Sequence, residues 1–320
     1  MAMSTRLAKS LSKLIFPAIL LVIAAIAAAS VWLTYRTARP HTAIYLVTPE
    51  KYGQLSSRGA QVTDETWTNK DGSSSRGWLL RGAENSPAVI LFHKYGADRS
   101  YVLNLAVKLN ESTNFTVLMP DLRAHGENAP VKNTSFGGCE AEDALSAVEF
   151  VRNLKTPNQI SLVGKEIGVY GVELGAATAL NAAAIDKGLK ALVLDSVPAD
   201  SDALIVDAVS RRFPFASTVT SRMAKLGTFL YFFDGCYKRD TACDTAKKIE
   251  GRNILLLGGI DTPEFQDATS KLSKCFPAGN KIETKTDLSP SGFGIINASI
   301  EQSEAYDRRI IEFFRNNLGN

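Results

Sequence analysis

The chain has 320 residues, 45% of them apolar and 22% charged, with a net charge of +3. That balance excludes a disordered or fibrous protein and supplies enough apolar area for one large globular domain or two modest ones. No dense run of Lys and Arg interrupts the globular part, so no nucleic-acid partner is expected.

The first element is apolar. Residues 14–33 read LIFPAILLVIAAIAAASVWL, twenty residues without a charge, enough to cover about 30 Å of hydrocarbon as a helix. Arg6, Lys9 and Lys13 precede this run, Arg36 and Arg39 follow it, and Trp32 and Tyr35 suit the far interface. The positive-inside bias therefore points residues 1–13 only weakly toward the cytoplasm. A cleaved signal peptide is the rival reading, because Ala27-Ala28-Ala29 offers a small-residue cleavage pattern. The run exceeds the ~7 to 15 residues of a signal h-region, which favours an uncleaved anchor. The expectation is a single-pass transmembrane helix in the cell membrane with the globular domain on the extracytoplasmic side, and either reading exports that domain. Residues 34–60 then form a linker and entry segment, in which His41 reads as solvated.

Over residues 61–320, short β-rich runs alternate with helical stretches, the pattern of an α/β domain with a mostly parallel central sheet and helices on both faces. The runs predict strands at 61–68, 76–81, 88–92, 116–119, 167–170, 191–194, 253–257 and 281–286. They predict helices near 99–111, 138–154, 174–186, 263–273 and 301–316. Asn69-Lys70-Asp71-Gly72 is turn chemistry that makes the first two strands an antiparallel hairpin. Residues 197–250, after the sixth strand, are too long for an ordinary connection and carry the aromatic stretch GTFLYFF. They read as a helical insertion over the top of the sheet.

Four cysteines, Cys139, Cys236, Cys243 and Cys275, lack metal-type spacing, so neither a metal site nor a cofactor is expected. In an oxidising compartment Cys236 and Cys243 are close enough to close a small loop, with free buried thiols an equal alternative.

The sharpest motif is Ile167-Gly168-Val169-Tyr170-Gly171-Val172-Glu173-Leu174-Gly175-Ala176-Ala177, a β-run followed by a small-residue helix start. It resembles the G-x-S-x-G nucleophile elbow of α/β-hydrolases, with Glu173 in the serine position. Three more segments match in the order that family has them. Phe92-His93-Lys94-Tyr95-Gly96 looks like its strand and oxyanion loop, and Asp121-Leu122-Arg123-Ala124-His125-Gly126-Glu127 is similar to its D-x-R-x-H-G-x-S loop. Leu257-Gly258-Gly259-Ile260-Asp261 resembles the strand and loop presenting the acid of the triad. Thr48-Pro49-Glu50-Lys51-Tyr52-Gly53 is similar to the entry segment of the membrane-anchored or secreted branch. The resemblance implies the α/β-hydrolase fold from about residue 48 onward, with an oxyanion-hole region at Lys94, Tyr95 and Leu174.

It also implies chemistry that the residues do not supply. Acyl transfer requires a nucleophile, an imidazole, an acid and two N–H donors. A carboxylate at Glu173 cannot perform the acyl chemistry of serine. Phe293, in Ser289-Pro290-Ser291-Gly292-Phe293-Gly294, stands where the resemblance places histidine, and His41, His93 and His125 all lie upstream of the elbow. His93 and His125 match structural loop histidines, and Asp261 has no imidazole to orient. Lys94 replaces a glycine of the oxyanion loop and is expected to pair with Glu173, filling the oxyanion hole.

Three readings follow. The first is a catalytically degenerate α/β-hydrolase kept as a binding or assembly module at a membrane, with a protein partner or a small apolar ligand. The second is an active hydrolase of small ester or peptide-like substrates in which Glu173 is a general base. The third is an accessory subunit of a larger membrane complex.

Overall fold

The computed structural model describes residues 2–40, 48, 61–126, 129–232 and 235–319, with side chains from residue 15 onward. His41, Glu127, Phe233 and nearly all of the 48–53 entry segment lie outside the described residues. The chain divides into two compact units.

The larger unit, Ala38–Leu204 with Cys236–Asn320, is built on one eight-stranded sheet. Its strands are β1 (Val62–Thr68), β2 (Ser74–Leu80), β3 (Ser86–Phe92), β4 (Thr116–Pro120), β5 (Val163–Val172), β6 (Leu189–Asp195), β7 (Asn253–Gly259) and β8 (Lys281–Leu288), in the order β1-β2-β4-β3-β5-β6-β7-β8. β1 pairs with β2, and β2 with β4, antiparallel, whereas all later pairings are parallel. The hairpin turns where Gly72 takes φ +80° and the Asn69 side-chain amide donates to Ser73 and Ser75. That is the turn chemistry the sequence predicts.

Side chains alternate across the sheet. Val89, Leu91, Tyr170, Val172, Val193 and Leu255 join one core with α2 (Leu103–Thr113) and the C-terminal helix (Ile300–Leu318). On the other face lie α3 (Cys139–Arg152) and α4 (Leu174–Ile185), packed together and against β5. The C-terminal helix begins in a capping box, with Ser299 Oγ accepting from the Gln302 N–H and the Ser299 N–H donating to Gln302 Oε1. Two orphan donors are thereby satisfied reciprocally.

The smaller unit comprises the N-terminal segment and Ile205–Gly235. Its helices are α1 (Ala2–Thr37), α5 (Ser201–Arg212, of which Ile205 onward belongs here) and α6 (Ser217–Tyr231). Within α1, Ile15–Thr37 is long and apolar enough to cross a bilayer. The 197–250 insertion is helical as expected, but it is shared. Its middle groups with α1, while its ends, including α7 (Ala242–Ala246), stay with the sheet.

The cysteines correct the sequence reading. Cys139 bonds Cys236 and Cys243 bonds Cys275, each with Cα atoms 5.2 Å apart, in place of a Cys236–Cys243 loop. Sequence proximity misleads here because α3 and α8 (Pro263–Leu272, ending just before Cys275) bring distant thiols to the two ends of the segment 236–243.

Candidate active site

The elbow joins β5 to α4, and Glu173 is its apex, with φ 52° and ψ −108°. A non-glycine residue at positive φ is strained. The Glu173 N–H is fixed to the Asp195 carbonyl at 3.0 Å. A Cβ on Gly171 would strike the Gly175 carbonyl, and one on Gly175 would strike the carbonyls of Phe92 and His93. Both glycines of the motif are thus required by backbones in close approach.

Glu173 is fully buried. Its Oε2 accepts the N–H of Tyr95 at 2.8 Å. That N–H belongs to the loop after β3, the loop that supplies an oxyanion donor in α/β-hydrolase geometry. The side chain at the expected nucleophile position therefore turns back onto the N–H expected to serve as an oxyanion donor. Leu174, the other residue of the expected hole, is fully buried at the start of α4.

The expected Lys94–Glu173 ion pair is not among the ion pairs of the described residues. The Lys94 ammonium donates to the Phe293 carbonyl at 2.6 Å and lies 4.0 Å from the centroid of the Phe293 ring and 5.0 Å from that of Tyr101. A long, flexible ammonium stem reaches a carbonyl and two aromatic faces at once, a well-solvating arrangement for a half-buried cation. Lys94 thus touches the turn where the missing histidine was expected. The Tyr101 hydroxyl donates to that turn as well, to the carbonyls of Gly292 (2.6 Å) and Phe293 (2.8 Å).

Asp261 is placed beside the same turn. Its carboxylate accepts the Ser291 N–H and the Ser291 hydroxyl, both at 3.0 Å. In the absence of an imidazole, its described role is to fix the loop that carries Phe293.

A second acid was missed in the sequence. Asp195, at the C-terminal end of β6, is fully buried and accepts the Ser196 hydroxyl (2.7 Å), the Tyr306 hydroxyl (2.7 Å) and the Gly292 N–H (2.9 Å). Burial pushes its carboxyl upward from the usual range, opposed by those three hydrogen bonds. Burial also raises the Tyr101 hydroxyl, with the charges of Asp195, Glu173 and Asp261 adding to the effect. The signal that could have found Asp195 is an acid closing an apolar run, Leu192-Val193-Leu194-Asp195, at the carboxyl edge of a parallel sheet, where sites form.

The two loop histidines are fully buried, their ring centroids 5.1 Å apart. His93 Nε2 accepts the Leu122 N–H at 3.0 Å, and His125 Nε2 accepts the Gly96 N–H at 3.0 Å. A backbone donor on each Nε2 leaves the proton on Nδ1, which faces the carbonyls of Lys94 (2.8 Å) and Arg123 (2.6 Å). Both rings are thereby neutral clasps joining the oxyanion loop to the loop after β4. Burial lowers His93 to about 4, and burial together with the neighbouring His93 lowers His125 to about 3. Their unfolded values near 6.5 lie above these, so the stability they contribute is present above pH 6.5 and lost as pH falls toward about 4. Denaturant titrations of wild type and His93→Asn between pH 4 and 8 should differ by a slope of about one proton below pH 6.5 and be parallel above it.

The oxyanion loop is anchored behind Gly96 by Arg99. Its buried guanidinium pairs with Asp64 at 2.9 Å and lies 3.5 Å from Asp121, with Trp78 stacked 4.6 Å away.

Among the described residues no cluster of His, Cys, Asp and Glu is suited to a metal ion. No family model matches the chain. Among solved structures, an esterase from Pyrococcus furiosus is 22% identical with a TM-score of 0.62, covering 88% of this chain and 98% of its own. An alpha/beta hydrolase from a Penicillium species is 15% identical with a TM-score of 0.55, covering 81% of this chain and all of its own. The chain has the α/β-hydrolase fold. Among curated sequences, a thiohydrolase from Aspergillus aculeatus is 30% identical over 124 residues, 38% of this chain and 37% of the relative. The chain spans about half or less of the length of the curated relatives it matches. These likenesses show the fold, whereas the roles of this chain's own side chains rest on the geometry above.

Proposed function

We propose that this protein is a membrane-anchored α/β-hydrolase-fold module without hydrolase turnover, used for binding or assembly. The observation that carries this reading is the Tyr95 N–H bonded to the Glu173 carboxylate. A tetrahedral intermediate would need that donor, and the residue holding it stands where the nucleophile should be. The neutral clasped histidines support the reading, because the Nε2 lone pair that a general base would use is engaged by a backbone N–H in each.

The two disulfides favour an oxidising compartment outside the cytoplasm. They agree with α1 acting as an uncleaved anchor that holds the domain on the extracytoplasmic side. Protease protection in spheroplasts tests the side, and the mass of the mature chain tests cleavage.

Activity is tested with short-chain activated esters and thioesters and with a serine-directed phosphonate probe. Rates at the buffer background and no covalent labelling are expected. Turnover abolished by Glu173→Gln would overturn the proposal.

A further inference from the structure

We infer that α6 is a second membrane-contacting element, its outward side chains lying among lipids at the level where α1 leaves the bilayer. This rests on the anchor reading above. Within the smaller unit, α6 meets α1 through small residues. Thr34 Oγ1 donates to the Ala224 carbonyl at 3.1 Å, and a Cβ on Gly227 would collide with the Ser30 carbonyl. Ser221, Ala224, Gly227 and Thr228 form the buried stripe of α6. Such small-on-small contact lets backbones approach closely, as helices do in lipid.

The opposite side of α6 is exposed and, apart from Arg222, largely apolar. Val219, Leu226, Phe229 and Leu230 are exposed, as is Phe215 in the turn before it. By helical spacing Val219, Leu226, Phe229 and Leu230 share one face, away from the α1 stripe. The occupant of that face follows from its neighbours. The contact level on α1, Ser30 to Thr34, is the last part of a run whose earlier residues Ile15 to Ile26 are themselves exposed and apolar. At 1.5 Å rise per residue that level lies about one bilayer thickness from the start of the run, at the far headgroup boundary. An aromatic cluster marks the same level: Trp32 is exposed, and the rings of Tyr35 and Tyr231 meet edge-on at 6.3 Å.

Charge points the same way. Between residues 205 and 232 the sequence carries Arg211, Arg212, Arg222 and Lys225 against the single acid Asp207, a net +3. Apolar aromatic side chains interleaved with basic ones are the chemistry of a segment seated in an anionic lipid interface.

The test uses the full chain in vesicles of mixed phosphatidylcholine and phosphatidylglycerol. Phe229→Trp and Leu230→Trp are compared with Ile260→Trp, an exposed apolar position of the sheet unit, each added indole being read as its difference from the wild type with Trp32, Trp67 and Trp78. Quenching by acyl-chain-brominated lipid should be at least about threefold stronger at residues 229 and 230 than at 260, with the reverse order for aqueous iodide. Iodide quenching at 229 and 230 equal to that at 260, without a bromolipid response, would overturn the inference. Protection from both quenchers would also overturn it, since a second copy or another protein would then cover the face. Comparing the wild type with Trp32→Phe, which keeps Trp67 and Trp78, isolates Trp32 and separates the two claims: no bromolipid quenching at Trp32 refutes the anchor, whereas quenched Trp32 with unquenched 229 and 230 refutes only the role of α6.

Discussion

Glu173→Ser alone is expected to hydrolyse esters only at the buffer background, and Glu173→Ser combined with Phe293→His is expected to exceed that background by at least about 100-fold, the usual contribution of a positioned general base. The single change removes the carboxylate from the Tyr95 N–H and so reopens an oxyanion donor. A serine without an imidazole nevertheless remains a protonated, poor nucleophile. Residue 293 is the position where an imidazole would find its acid already in place. Asp261 is bonded to Ser291 two residues earlier, and a Cβ on Gly294 one residue later would lie 2.6 Å from Asp261 Oδ2. The neighbouring Lys94 ammonium, now 4.0 Å from the Phe293 ring, would favour the neutral, basic form of that imidazole. Steady-state hydrolysis of a p-nitrophenyl ester by the three proteins decides the matter. Efficient turnover by Glu173→Ser alone would mean that some other group is the base and that position 293 has been misassigned.

Replacing Cys139 and Cys236 together by alanine should lower stability by about 2 to 5 kcal/mol, and replacing Cys243 and Cys275 should cost roughly 1 kcal/mol less. The difference follows from loop length: the first bond joins residues 97 apart and the second residues 32 apart. In the chain-entropy account the longer loop restricts the unfolded ensemble more. Cys139 is also the first residue of α3, where the buried Glu140 carboxylate collects the N–H groups of Ser135 (2.8 Å) and Gly137 (3.0 Å) and the hydroxyls of Thr134 and Ser135. Loosening Cys139 exposes this carboxylate cage to water as well. Urea midpoints of the full chain in detergent, oxidised and in each double variant, measure both costs. Equal midpoints for all three would show that the unfolded chain is already restricted by other means.

Most of the fold was legible because strand and helix periods differ. All eight predicted strands are present, and their cores match where β-branched and aliphatic residues run together, as in Val89 to Phe92 or Asn253 to Leu257. The ends were misjudged where polar residues continue a ladder, as in β5, which begins at Val163 rather than Ile167, and β8, which runs on to Leu288. Propensity marks the buried centre of a strand, while hydrogen bonding carries it past that centre.

The glycine frame of the site was legible for a similar reason, since Gly171 and Gly175 answer to backbone sterics that the motif records directly. Side-chain partners were not. Lys94 was paired with Glu173 because both positions border the expected oxyanion hole, yet it reaches a carbonyl 199 residues away, a choice set by tertiary placement of the Ser291–Gly294 turn. Asp195 was passed over because its local signal, an acid closing an apolar run, does not by itself separate a buried acid from a solvated one at a strand end. The cysteine pairing failed by the same logic, and the small-residue stripe of α6 has meaning only once α1 lies against it.

The elbow lends itself to engineering. Its apex conformation is enforced from beneath by the carbonyls that crowd Gly171 and Gly175 and by the Asp195 carbonyl that holds the Glu173 N–H, not by the side chain at the apex. Position 173 is therefore a socket: a fixed vector at the mouth of a rigid sheet, into which a different functional group can be set while the scaffold beneath it keeps its shape.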